Sequence, residues 1–359
     1  MTSPPLLHVA LAKQIAQTAP VIRGALALNT GVEGRPTRVV LAPLSNTDAA
    51  NADLVVFPSL VAGDILSTLA PHKAGIKAFS LPGLGSFGVG ASFAEACEAQ
   101  GVAVSQPKDL AGQIAVVTGG AGGLGFSVAQ LLRAEGAEVA LLDIAEAPVN
   151  AAAAKLGGIG LACDVTDAAS VDVAIARVVA HYGGIDILIS NAGAAHQGAL
   201  LDLDDRLFEA AFALNFWSHH YVARSAVRVM KAQGTGGALV FNVSKQAVNP
   251  GPDFGAYGTP KAALMALMRQ YAVEHGADGI TSNAVNADRI RTGLMTDKMV
   301  AERSKARGLT PEQYMRGNLI RREVTGRDVA EAFVHLAKAR TSTGAVLTVD
   351  GGNVAAMMR

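Results

Sequence analysis

Ile114-Ala-Val-Val-Thr-Gly-Gly-Ala-Gly-Gly-Leu-Gly125 is the stretch on which the reading of this chain turns. Its first half is an unbroken apolar run, as a strand buried on both faces requires. Glycines at 119, 123 and 125 then allow a tight turn and a close backbone approach to whatever lies above it. Phe126–Glu135 carries helical periodicity and closes at Gly136, and EVALLDI (138–144) predicts the next strand. A glycine turn opening a helix is suited to a pyrophosphate, because the helix start offers free N–H groups and the positive end of its dipole. Eighteen residues beyond Gly125, at the end of the second strand, stands Asp143. A carboxylate there accepts hydrogen bonds from ribose hydroxyls and repels the extra phosphate of NADP. No Arg or Lys occurs in Gly119–Gly125 or just after Asp143 to pair that phosphate, so NAD is the expected cofactor.

The same theme repeats outward. IDILISNAG (185–193) and GGALVFNVS (236–244) are further strand-then-turn segments, separated by the helical stretches Ala168–Tyr182 and Asp204–Gln233. Strands alternating with helices predict an α/β fold with a doubly wound parallel sheet of the Rossmann type in residues 108–359. Residues 1–107 predict a smaller N-terminal α/β module. Its strands are Thr37–Ala42, Leu54–Pro58 and Ile76–Leu81, its helix is Ala91–Gln100, and Gln106-Pro107-Lys108 is the linker. Gly83-Leu-Gly-Ser-Phe-Gly88 also spells GxGxxG, but no acid follows a second strand, so a structural turn is expected there.

Composition narrows the setting. Half of the 359 residues are hydrophobic, 17% are charged and the formal net charge is zero. That is enough apolar material for a core, with no global attraction to nucleic acid or an anionic membrane. Cys97 and Cys163 form no CxxC or zinc pattern and predict small buried side chains in a reducing compartment. No apolar run approaches the roughly 20 residues that span a bilayer. Met1–Ala19 lacks the pattern of a secretory leader, and no metal site is expected. The expected location is the cytoplasm.

Tyr257-Gly-Thr-Pro-Lys261 sets a phenol and an ammonium four residues apart, on one helix face. The positive charge stabilises the phenolate, which makes Tyr257 a workable general base near neutral pH. Ser244, just after a strand, is placed to orient a substrate oxygen.

With these motifs in order, residues 108–359 resemble a short-chain dehydrogenase/reductase. The resemblance is carried by TGGAGGLG (118–125), Cys163-Asp164-Val165, Asn191-Ala192-Gly193, Asn215 in LNFWSHH, Ser244, Tyr257, Lys261 and the closing Thr343-Gly344 to Asp350-Gly351-Gly352. It implies catalytic roles for Asn215, Ser244, Tyr257 and Lys261. It implies cofactor contacts at Thr118, Gly119, Gly123, Leu124, Gly125, Asp143, Asp164, Val165, Asn191, Ala192, Gly193, Tyr257, Lys261 and Thr292. It also implies a homodimer or homotetramer. One departure is that Ala287-Asp288 stands where the family has Pro-Gly.

The wording of 286–308, GNLIRREVTGRDVA and VDGGNVAA is similar to the dehydrogenase half of bifunctional rhamnulose-1-phosphate aldolase/alcohol dehydrogenases. Residues 35–105 resemble the end of the aldolase module of such proteins. Aldolase chemistry does not carry over, since residues 1–105 hold only His8 and His72 and no HxH pair for zinc. The resemblance implies a small hydroxyaldehyde or vicinal diol as substrate, with sugar-derived or secondary alcohols also open. The segment after Thr292 is the expected substrate lid. It carries Lys298, Arg303, Lys305 and Arg307, and Arg289, Arg291 and His196 are candidates for substrate contact. His219 and His220, adjacent on the Asn215 helix, do not share a face and suggest no joint site. A different reading is an NAD-binding redox sensor or scaffold whose N-terminal module contacts a partner.

Overall fold

Apolar runs punctuated by glycine become strands along the whole chain. The computed structural model describes residues 9–27, 39–50, 52, 54–70, 76–98, 108–291 and 295–353. The strands are β1 (Val40–Pro43), β2 (Leu54–Val56), β3 (Ala78–Leu81), β4 (Gly85–Gly90), β5 (Ile114–Thr118), β6 (Glu138–Asp143), β7 (Ile159–Ala162), β8 (Ile187–Ser190), β9 (Gly237–Asn242), β10 (Ile280–Ala287) and β11 (Val346–Val349). The last seven form one sheet in the order β11-β10-β9-β8-β5-β6-β7. Every pairing in it is parallel. All five residues of β5 are buried, as expected of a strand covered on both faces. Chain direction across the sheet reverses between β5 and β8. In such sheets the crevice beyond the carboxyl ends of the two strands at that point is where a ligand fits.

The N-terminal residues build a second, four-stranded sheet in the order β1-β4-β3-β2. It is mixed: β4 runs antiparallel to β1 and β3, while β2 runs parallel to β3. The second GxGxxG is a hairpin turn between β3 and β4, with Gly83 and Gly85 at φ of 70° and 100°. No helix opens on it, so it has none of the anion-binding geometry of the first motif.

Residues 9–26, for which no element is expected above, form an 18-residue helix, Val9–Leu26. Its buried positions Ala12, Ile15, Ala19, Ile22 and Leu26 repeat at three- and four-residue spacing. That stripe packs on helices Ala168–Tyr182 and Ser218–Gln233. The approach is close, since a Cβ on Gly24 would lie 1.8 Å from the Gln233 carbonyl. Arg23 is 2% exposed and pairs with Asp186, 1% exposed, with Nη2–Oδ2 at 2.6 Å and Nη1–Oδ1 at 3.0 Å. It also donates to the Val39 and Gly112 carbonyls. One apolar cluster runs from Ile15, Phe79 and Val89 into Ile114, Leu188 and Phe241, so both sheets share a core.

The stretch expected as one helix over Asp204–Gln233 is interrupted. Asp205–Phe212 and Ser218–Gln233 are α-helical, and Ala213–Trp217 between them is a π turn. Such wide turns are frequent at functional sites, and this one carries Asn215. Among the described residues no helix is long and apolar enough to cross a membrane.

Candidate active site

At the reversal point, Thr118 ends β5 and ties the neighbouring strand end to it. Its hydroxyl accepts from the Asn191 and Ala192 amides at 2.9 and 3.0 Å, and Asn191 Nδ2 donates to the Thr118 carbonyl at 3.0 Å. Asn242, ending β9, donates to Asn191 Oδ1 at 2.9 Å. Three strand ends are thereby locked beneath one crevice.

The glycine turn follows. A Cβ on Gly125 would fall 2.2 Å from the Gly119 carbonyl oxygen, so only glycine lets helix Gly123–Ala134 pack this close to the turn. Gly122 has open space where a side chain would stand. Replacing Gly125 with Ala is expected to push the helix start away and weaken dinucleotide binding at least tenfold. Overpacking of this kind costs about 1–3 kcal/mol of stability. Calorimetric titration with NAD and NADP and thermal unfolding would check it, and unchanged affinity would count against the close-packing reading.

Asp143 ends β6 and lines the same cavity. Its Oδ2 accepts from the Ala121 amide at 3.1 Å, which holds the carboxylate beside the glycine turn. Asp164 and Val165 lie outside the cavity lining. The Asp164 carboxylate accepts from the Thr166 amide and hydroxyl at 2.9 and 2.7 Å, and Val165 is buried. Thr292 falls outside the described residues. The departure at Ala287-Asp288 has a physical role, because Asp288 Oδ2 accepts from Arg289 Nε and from Asn353 Nδ2 and so ties the loop to the chain's last strand turn.

The cavity is about 590 Å³ and runs from Gly119, Gly122 and Asp143 past Asn191–Ala195 to Ser244, Tyr257 and Lys261, and on to Met299 and Arg303. A glycine turn without side chains, a carboxylate at one end and a Ser–Tyr–Lys cluster at the other fit an extended dinucleotide. Leu124 and Gly193 also line it.

Tyr257 and Lys261 lie on helix Gly255–His275 and are 8% and 2% exposed. The Lys261 ammonium sits 5.9 Å from the Tyr257 ring centre. Ser244 caps the short helix after β9 and lines the cavity together with Tyr257. Burial pushes the Tyr257 phenol above its ordinary value, and the neighbouring Ser244 hydroxyl pulls the other way. Burial also draws the Lys261 ammonium down to about 7. Lys261 Nζ donates to the Asn242 carbonyl at 2.7 Å. Asn215 is fully buried, and its Nδ2 donates to the Ala194 and Ala211 carbonyls at 3.0 Å each. Its Oδ1 has no hydrogen-bond partner among the described residues.

The residues named for substrate contact part company. Arg289 lines the cavity, but its guanidinium is engaged by Asp288 and by the Tyr314 carbonyl at 2.6 Å. Arg291 lies outside the lining and pairs with Asp297 and Glu323. His196 follows Ala195 and is also outside the lining. Of the basic lid, Arg303 faces the cavity, with its guanidinium 4.9 Å from the Phe254 ring centre. His219 was missed: it contacts Lys261, and the signal was its spacing of four from Asn215, which places both on one face.

A dinucleotide-shaped cleft at the switch point of a doubly wound sheet, with a Ser–Tyr–Lys cluster at its inner end, defines a nucleotide-binding protein built for proton transfer beside a cofactor. A family model described as "Enoyl-(Acyl carrier protein) reductase" matches residues 119–353. The uncharacterized oxidoreductase YuxG of Bacillus subtilis is 33% identical over 262 residues, which are 69% of this chain and 38% of that protein. The (+)-borneol dehydrogenase 1 of Salvia officinalis is 33% identical over 255 residues, 68% of this chain and 95% of that protein. The crystal structure of L-sorbose reductase from Gluconobacter frateurii, complexed with NADPH and L-sorbose, superposes with a TM-score of 0.62 at 30% identity, covering 67% of this chain and 95% of that one. The chain belongs to the short-chain dehydrogenase/reductase family.

Proposed function

We propose that this protein is an NAD-dependent oxidoreductase that interconverts a hydroxyl and a carbonyl on a small substrate. The observation that carries the reading is that Ser244, Tyr257 and Lys261 open into the same cavity as Asp143 and the glycine turn. Thr118–Gly125, Asp143 and Asn191–Gly193 would hold the cofactor, which when bound accepts hydride from the substrate carbon or returns it. Tyr257 takes the hydroxyl proton in oxidation and gives it back in reduction. Ser244 holds the substrate oxygen beside the phenol. Lys261 supplies the positive charge that favours the phenolate, and Asn215 braces the loop at Ala194.

Small hydroxyaldehydes, diols, sugar-derived and secondary alcohols form the substrate class. Arg289 remains a candidate contact, and Arg303 joins it on its position. The resemblance to the bifunctional aldolase/alcohol dehydrogenases supports lactaldehyde or a vicinal diol first. Residues 1–107 then serve as a non-catalytic module, and residues 108–359 as the catalytic domain. The partial coverage of YuxG accords with a longer relative. Trp217 and Val273, 47% and 80% exposed beside the catalytic helices, accord with a homodimer or homotetramer. The two free cysteines accord with a cytoplasmic setting.

The test is NADH formation over a panel of hydroxyaldehydes, 1,2-diols, sugar alcohols, hydroxy acids, their phosphates and secondary alcohols, with NADP in parallel. NAD is expected to be favoured by about 100-fold in kcat/KM, because placing a phosphate against a carboxylate costs several kcal/mol. Asp143→Ser is expected to narrow that preference to within about tenfold. Equal use of NADP by the unaltered protein would overturn the cofactor assignment. Silence across the panel with NAD still bound would favour the sensor reading.

A further inference from the structure

Behind Lys261, on the side away from the cavity, lies an imidazole that the proposed chemistry does not use. His219 is 1% exposed. Its Nε2 is 3.2 Å from Lys261 Nζ, and its Nδ1 is 2.6 Å from the hydroxyl of Ser190, itself 1% exposed at the end of β8. The Phe241 ring of β9 is the remaining ring neighbour, 6.3 Å away between centres. Among the described residues, Lys261 from helix Gly255–His275, Ser190 from β8 and Phe241 from β9 thus bring one charge to the imidazole, the ammonium.

The donor and acceptor chemistry leaves little freedom. An ammonium has three N–H donors and no lone pair, so Nε2 must be bare when Lys261 is charged. The ring proton then sits on Nδ1, donated to Ser190. One Lys261 N–H goes to the Asn242 carbonyl and a second to His219, which leaves the third for the cavity. A protonated imidazole would meet the ammonium at contact distance, and burial together with Lys261 keeps His219 far below its ordinary value.

We propose that His219 is a positioning residue: its neutral imidazole, oriented by Ser190, holds Lys261 as an ammonium aimed at Tyr257 and the nicotinamide end of the cleft. A buried ammonium loses hydration, and each acceptor that it gains favours the charged form. Asn242 and His219 provide two such acceptors. The same geometry sets the rotor of the ammonium, so the charge lies where the phenolate forms. Asn215 and His219 reach this cluster together because they are four residues apart on either side of the π-to-α junction. The inference rests on the proposed function for its catalytic consequence only. Its test uses the free protein and needs no substrate, so failure of the substrate panel and failure of this idea are separate results.

The test is the titration of Lys261 in the full chain labelled with ¹³C at lysine Cε, followed by NMR in the unaltered protein, His219→Leu and His219→Gln. His219→Leu fills the space without an acceptor and is expected to lower the Lys261 midpoint by about one pH unit, a tenfold change in acid dissociation. His219→Gln keeps an acceptor and is expected to recover most of that shift. Identical midpoints in the three proteins would overturn the proposal. Should His219→Leu not fold, the ring ¹⁵N signals of the unaltered protein decide: a bare Nε2 with protonated Nδ1 near pH 6 is the expected result, and a protonated Nε2 overturns the proposal. With a substrate in hand, His219→Leu is expected to move the acidic limb of kcat to higher pH, since a less-charged Lys261 lets the phenol hold its proton longer.

Discussion

Tyr257→Phe is expected to lower kcat by about 10²–10⁴-fold, the range that a positioned general acid–base group supplies. The ring stays, so the packing against Phe254, 6.4 Å between centres, and the contact with Lys261 are preserved. What is lost is the proton acceptor beside Ser244. On the proposed function, cofactor affinity is expected to change by less than threefold, because the glycine turn, Asp143 and Lys261 remain. Stopped-flow turnover and calorimetric titration separate the two effects. Normal turnover by the Tyr257→Phe protein would transfer the proton to another group and remove Tyr257 from the chemistry. For the redox-sensor reading the same variant is neutral, since a sensor uses NAD binding and partner contact but no phenol.

Arg23→Met is expected to cost about 3–5 kcal/mol of stability, the range for breaking a buried ion pair from one side. Asp186 would keep the Ile114 amide at 2.8 Å but lose both guanidinium contacts. Its buried carboxylate would lose the Arg23 guanidinium, and the Val39 and Gly112 carbonyls would lose donors. Urea denaturation of the full chain measures it. A variant as stable as the unaltered protein would show that helix Val9–Leu26 is held by its apolar stripe alone. Asp186 lies at the entry to β8, which ends at Ser190 just before Asn191, so one strand links helix Val9–Leu26 to the cleft.

Local sequence was enough for much of this molecule. The apolar run 114–118, the glycine spacing and Asp143 demanded a strand, a turn and a carboxylate in one unit, because buried parallel strands and close phosphate approach tolerate few alternatives. Tyr257 and Lys261 were legible because four-residue spacing on a helix guarantees a shared face. The two GxGxxG stretches were separable by the missing acid, and the hairpin at Gly83–Gly85 bears that out. The stripe Ala12-Ile15-Ala19-Ile22-Leu26 was also present in the sequence, although no element was assigned there.

Tertiary structure alone decided the rest. Where that stripe docks, and that Arg23 finds Asp186 163 residues away, depends on helix–helix packing between segments with no local link. The π turn at Ala213–Trp217, in which Asn215 donates to the Ala194 carbonyl, is specified by no helical propensity. Arg289, Arg291 and Arg303 look alike along the chain. Only the fold assigns the first to Asp288 and a backbone carbonyl, the second to Asp297 and Glu323, and the third to the cavity. The side chain of His219 points at Lys261 because two helices and β8 converge there. Sequence spacing specifies what shares a face within one element, whereas contacts between elements are set by packing, which the chain encodes only as a whole.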